Sequence, residues 1–169
     1  MKKLTICLSI FSFLFLLTSC SNTYTYKEDG PFITAYMAPV GPGIPEDLIT
    51  EHITIYQNGT FILSDGNHDK GKDKLIVQLT LTEDEINEIQ SHIYESRFKK
   101  LPEDVTAPSE DGAKYGIEVH FEKNSKLVAG WNPSNEAFNE LHDYLFHFIE
   151  EETLQTWREE MKEYKRGMD

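Results

Sequence analysis

The segment "HITIYQNGTFIL", His52 to Leu63, constrains the fold more than any other stretch of the chain. β-branched and aromatic residues stand on both sides of Asn58-Gly59, the composition of paired strands. An Asn-Gly pair suits a type I′ turn, since both residues tolerate positive φ. Such a two-residue loop sets a register with Ile55 opposite Ile62 and Tyr56 opposite Phe61. A third strand is expected at "LIVQLTL", where Leu75, Val77, Leu79 and Leu81 share a face.

The next segment, "LTEDEI", carries a helix start. Thr82 is placed as N-cap, Glu85 closes a capping box three residues on, and Leu81 with Ile86 forms a hydrophobic staple. Ile86, Ile89 and Ile93 make the buried stripe, and the helix should end near Phe98, before Leu101-Pro102. "YGIEVHF" and "KLVAGW" read as a second hairpin with Tyr115, Ile117, Val119 and Phe121 on one face. From "NPSNEAF", with Asn132 or Ser134 as cap, helical spacing runs through Phe138, Leu141, Leu145, Phe148 and Ile149. Beyond it, Leu154, Trp157, Met161 and Tyr164 form a second stripe out of phase with the first. A C-terminal helix over 134–166 is therefore expected to be long, and kinked or broken near Glu152. The stretch "MAPVGPGIPED", Met37 to Asp47, is interrupted by prolines and glycines and reads as a loop. These elements predict an α+β fold, an antiparallel sheet of two hairpins and an extra strand packed by two helices, in one domain over 32–169.

The N-terminus constrains placement. Lys2 and Lys3 precede an apolar run from Leu4 to Leu17, shorter than the roughly 20 residues of a spanning helix and within the roughly 7 to 15 of a secretory signal core. The run ends at Leu17-Thr18-Ser19-Cys20, which resembles the lipobox of bacterial lipoproteins, and more broadly the chain resembles the lipoproteins of low-GC Gram-positive bacteria. The resemblance implies that residues 1–19 are removed and that the Cys20 thiol takes a diacylglyceryl group. The new amino group would then take a palmitate-type chain, holding the protein on the extracytoplasmic face of the cell membrane. Two chains suffice, at about 0.8 kcal/mol per buried methylene. Cys7 lies in the discarded part, which leaves no pair for a disulfide. Residues 20–31 read as lipidated cysteine and tether, in which "SNTYTYKEDG", Ser21 to Gly30, reaches about 35 Å at roughly 3.4 Å per residue.

With 16 basic and 29 acidic residues the formal net charge is −13, and losing Lys2 and Lys3 takes it to −15. This balance repels phosphate backbones and anionic headgroups, and excludes nucleic acid as an expected partner.

Candidate chemistry is sparse. The loop "DGNHDKGKD", Asp65 to Asp73, offers oxygen ligands but lacks the glycine and glutamate that an EF-hand places at its sixth and twelfth positions, where Lys70 and Ile76 stand. No histidines show the i, i+4 spacing of a helical zinc motif; His142 and His147 differ by five. No metal or cofactor is expected. Glu118 and His120 share the solvent-facing side of a strand, which reads as a solvated pair in the absence of a nucleophile. Leu154, Trp157, Met161 and Tyr164 remain as a stripe that either packs on the domain or offers a partner surface.

The run "LTEDEINEI", "FKKLPED", an Asp-Gly before "YGIEVHF", a strand ending in Trp and a terminal helix is similar to the layout of emfourin-type domains over about Ile53 to Glu150. That resemblance implies a small α+β fold and, for some members, inhibition of thermolysin-like metalloproteases; it maps no inhibitory residue onto this chain. The expectation is a non-catalytic binding or interaction module with Cys20 as lipid anchor. Its alternatives are an inhibitor of a secreted metalloprotease and a carboxylate-based hydrolase of wall material.

Overall fold

Six antiparallel strands lie in the order β4-β3-β2-β1-β5-β6 in a computed structural model that describes residues 24–40, 49–66, 75–108 and 112–167. The strands are β1 (Pro31–Val40), β2 (Glu51–Tyr56), β3 (Thr60–Ser64), β4 (Val77–Thr80), β5 (Gly112–His120) and β6 (Ser125–Trp131). Among the described residues three α-helices accompany them: α1 (Glu83–Glu95), α2 (Glu136–Phe146) and α3 (Glu151–Arg166). The α+β class is as the sequence implies. The sheet, however, has one strand more than the two hairpins and extra strand expected.

The additional strand is the central one. β1 pairs with β2 on one side and β5 on the other, so it joins the β2-β3-β4 meander to the β5-β6 hairpin. Met37 to Val40, expected in a loop, belong to it. Its prolines fall where they do little harm: Pro31 pairs only with β2, and Pro39 only with β5. At each of these positions β1 has one neighbour rather than two, which is where a residue without an N–H is best tolerated.

The first hairpin forms as expected, but its register differs by one residue. Ile55 faces Phe61 and Ile53 faces Leu63, so the loop is Gln57-Asn58-Gly59 rather than Asn58-Gly59 alone. The Gly59 N–H donates to the Tyr56 carbonyl at 3.0 Å and Gly59 has φ +86, the pattern of a turn followed by a left-handed glycine. Burial selects this register: Ile53, Ile55, Phe61 and Leu63 are all fully buried, whereas the other would set Ile55 against the half-buried Ile62. A side chain at Gly59 would also strike the Leu81 carbonyl oxygen at 2.4 Å.

Leu81 leads directly into α1. The Glu85 N–H donates to Thr82 Oγ1 at 3.3 Å, and the Thr82 N–H donates to Glu85 Oε2 at 2.6 Å, completing the expected box. Ile86, Ile89 and Ile93 are buried, as their spacing implies. The helix closes at Ser96, and Phe98 opens a separate 3-10 turn, Phe98–Lys100, after Arg97 takes a left-handed conformation.

The expected C-terminal helix is two helices. α2 ends at Phe146, α3 starts at Glu151, and this break accommodates the phase change between the two apolar stripes. The cap of α2 is Asn135, whose Oδ1 accepts from the Phe138 N–H at 3.0 Å, not Asn132 or Ser134. Asn132 instead accepts from the Ala113 N–H at 3.0 Å and holds the start of β5.

The face bearing Ile33, Ile53, Ile55, Phe61, Ile117 and Val119 is the core side, and contacts such as Phe61 with Phe148 and Tyr115 with His142 place α2 and the segment after it there. Along the outer edge of β6, the Val105 N–H donates to the Ala129 carbonyl and the Ala107 N–H to that of Trp131, covering an edge that would otherwise present free backbone groups.

Candidate functional site

The stretch from Tyr24 to Gly30, expected as free tether, begins as part of the domain. Tyr26 forms an isolated bridge with Phe121 and is 7% exposed. The Glu122 N–H donates to the Thr25 carbonyl at 3.1 Å, and the Lys27 N–H to that of His120 at 3.0 Å. The physical reason lies in the alternation Tyr24-Thr25-Tyr26, which puts both rings on one side of an extended chain.

A β-bulge builds the receiving surface. Between Pro31 and Ile33 the register of β1 against β2 shifts by one, leaving Phe32 as the extra residue. Phe32 and Ile33 are both fully buried, although an unbroken strand would point neighbours to opposite faces. Phe32 thereby meets the Tyr26 ring edge-on at 5.4 Å, while Phe121 stacks on Tyr26 at 5.8 Å. Tyr24 contacts Phe121 and Tyr94, each at 5.3 Å. Lys99 Nζ lies 4.5 Å from the Tyr24 ring centre and 4.1 Å from that of Phe121, a double cation–π contact. Burial, with the neighbouring Tyr24 adding to it, pushes the Tyr26 hydroxyl well above its ordinary range, and its proton is donated to the Gln90 carbonyl at 3.4 Å. Burial likewise raises Tyr24. Both phenols therefore stay neutral and act as packing groups. Beside them an open cleft of about 600 Å³ is lined by Lys27, Glu28, Asp29, Gln57, Gln90 and Glu122, among others.

Other sites expected from the sequence resolve differently. Cys20 lies outside the described residues, as does most of the Asp65 to Asp73 loop. The terminal stripe is a packing surface rather than an open partner surface: Leu154, Trp157 and Met161 are buried and Tyr164 is half-buried. Its polar contacts reach the sheet side, with Trp157 Nε1 donating to the Leu75 carbonyl at 2.7 Å and Arg158 paired with the buried Glu51. Glu118 and His120 do come together, at 3.9 Å, on the side opposite the core.

His142 and His147 have separate surroundings. His142 is buried among Tyr115, Phe138 and Phe146, with Nε2 3.2 Å from the Tyr36 carbonyl, and burial lowers its pKa. His147 lies against Tyr144 and Phe148 at the surface; burial and a hydrogen bond to Glu88 push the Tyr144 hydroxyl up to about 12. Among the described residues no three His, Cys, Asp or Glu side chains are grouped to hold a metal ion, and no helix is long and apolar enough to cross a membrane.

Sequence reading missed the Tyr24–Tyr26 junction and its lysine. The available signals were the period-two tyrosines and the "RFKK" run, Arg97 to Lys100, which together would have flagged an aromatic and cationic pairing. No protein-family model matches the chain, and no curated protein is significantly similar to it.

Proposed function

We propose that the protein is a lipid-anchored, extracytoplasmic binding module without catalytic activity, held to the cell membrane through Cys20. The observation that supports this most is the docking of the N-terminal segment: Tyr24 is packed on the domain, and only Ser21, Asn22 and Thr23 stand between it and Cys20 in the sequence. An anchor so near the body would hold the domain against the bilayer instead of leaving it on a long leash. The reach is about 14 Å at roughly 3.4 Å per residue, less than half of what an undocked segment would allow.

The non-catalytic part rests on the carboxylates. Glu28, Asp29 and Glu122, which line the open cleft, are exposed to solvent there rather than enclosed in a site that holds two acids in fixed positions about a scissile bond. A binding surface is available on the sheet face away from the core, where Leu127 is 46% exposed and Tyr36 and Ile62 are half-buried. The metalloprotease-inhibitor reading draws on the resemblance of the order of sequence elements to emfourin-type domains, and predicts that the purified chain slows a thermolysin-like protease at near-stoichiometric dose.

The experiment is mass analysis of the N-terminal peptide together with membrane fractionation of the wild type and Cys20→Ala. Acyl groups on Cys20 and release of the variant from the membrane are expected; an unacylated, freely soluble wild type overturns the reading. A photo-crosslinker at Leu127 in the membrane-held chain should then trap a discrete partner that a crosslinker at Glu159 does not.

A further inference from the structure

We infer that the surface around Tyr24 docks onto the anionic headgroups of the bilayer that holds the chain, an inference that rests on the anchor at Cys20 proposed above. Charge carries the argument. Residues 94–101 and 120–127 hold Arg97, Lys99, Lys100, Lys123 and Lys126 against Glu95 and Glu122 alone, in a chain whose formal charge is −13. The fold brings these two distant segments to one place. Lys99 sits over both Tyr24 and Phe121, and Lys126 Nζ donates to the Lys99 and Leu101 carbonyls at 2.9 and 2.6 Å, which ties the basic turn to β6. Lys123 lies in the β5-β6 turn, which the Phe121 N–H closes onto the Asn124 carbonyl at 2.8 Å.

The composition suits a headgroup layer. Arg97, Lys99, Lys100 and Lys123 are exposed, and Tyr94, 42% exposed, sets its ring 5.3 Å from Tyr24. Tyrosines with a wet hydroxyl and an apolar body are enriched at membrane interfaces, and each basic residue near an anionic surface favours the docked state about fivefold, equivalent to about 1 kcal/mol. The same surface repels the acidic remainder of the molecule. Attraction at one end and repulsion elsewhere act as an orienting couple, and the short link from Cys20 to Tyr24 puts the basic end within reach. Glu28 and Asp29, at the rim of the neighbouring cleft, limit how far the docking surface spreads.

The test uses the full lipidated chain in vesicles of phosphatidylcholine with about one-third phosphatidylglycerol, and in phosphatidylcholine alone. Because the thiol of Cys20 is consumed, Asn124→Cys and Glu159→Cys each give a unique dye site, the second on α3, which pairs with the far end of β2. A quencher in the acyl region should act several-fold more strongly on the dye at 124 than at 159 in the anionic vesicles. Arg97→Gln and Lys100→Gln should each lower the docked-to-undocked ratio about fivefold. Equal quenching at both sites with acyl groups present overturns the docking and leaves the anchor standing. Preferential quenching that persists unchanged in phosphatidylcholine alone overturns the headgroup charge as its cause. A chain without acyl groups overturns the anchor and this inference with it.

Discussion

Arg158 Nε lies 2.5 Å from Glu51 Oε1, joining helix α3 to the first residue of β2 across 107 positions of chain. Glu51 is 4% exposed, and the hydrogen bond to it raises the pKa of the guanidinium, with its charge adding to the effect. Removing Arg158 strands a buried carboxylate, which costs about 3 kcal/mol, while changing both partners costs less than the sum. Urea unfolding of Glu51→Gln, Arg158→Ala and the double variant should give a coupling above about 1 kcal/mol. Strict additivity would mean that the pair does not hold α3.

Trp157 should matter as much as any residue of the domain. Its truncation to alanine removes a ring that is 2% exposed and is expected to destabilise by about 3 to 5 kcal/mol. Trp157→Phe keeps most of the packing and loses the 2.7 Å bond to the Leu75 carbonyl, for about 1 kcal/mol. Thermal melts that move by less than a degree for Trp157→Ala would return the stripe to solvent.

Gly59→Ala tests the turn. An alanine there meets both a φ of +86 and the Leu81 oxygen, so a loss of about 2 kcal/mol or more is expected, against no more than about 1 kcal/mol for Asn58→Ala, which loses only the 3.0 Å bond that Asn58 Oδ1 accepts from the Thr60 N–H. Chemical denaturation of the two variants side by side decides it.

A pH dependence follows from His142. Burial holds its pKa below 6.5, opposed by the Tyr36 carbonyl and by Asp143. The unfolded chain takes up a proton at 6.5 that the fold resists, so this contribution is complete above pH 6.5 and declines as the pH falls below it. His142→Phe should flatten the melting temperature between about pH 7 and 5. Glu85 contributes further down: its bonds to Thr82 hold its pKa under 4.5, and that stability is lost as the pH falls below that value. A profile equally steep in His142→Phe would assign the effect elsewhere.

Tyr24→Ala should loosen the N-terminal junction without unfolding the domain. Hydrogen exchange at the Glu122 and Lys27 amides, which donate to Thr25 and His120, is expected to speed up while the amides of β2 and β5 stay protected. Uniform exchange across the sheet would instead place the segment inside the cooperative core.

Elements whose determinants are local were legible before any coordinates. The Thr82-Glu85 box, the isoleucine stripe of α1 and the β5-β6 alternation each depend on residues within a few positions of one another. β1 was not legible because its alternation is muted by Ala35 and Ala38 and bounded by Pro31 and Pro39, and its central place depends on partners far along the chain. The hairpin register failed for a narrower reason: Asn58-Gly59 suits both loop lengths, and the choice between them is made by which residues reach the core. Spacing identified Leu154, Trp157, Met161 and Tyr164 as an apolar stripe but held no information on what covers it. The cationic junction escaped notice because Tyr24, Lys99 and Phe121 come from three separate segments.

The first described strand is a central strand of the sheet, and this sets where closure is slow. β1 reaches β2 over a short span, Met37 facing Glu51, much as Leu63 of β3 reaches Val77 of β4, whereas Ile33 must find Val119 across most of the domain. Long loops close more slowly than short ones. The β1-to-β4 meander and the β5-β6 hairpin can therefore form early as two separate sheets, and the seam between β1 and β5 closes last. Until it does, β1 and β5 each carry an exposed strand edge suited to pairing with a neighbouring copy.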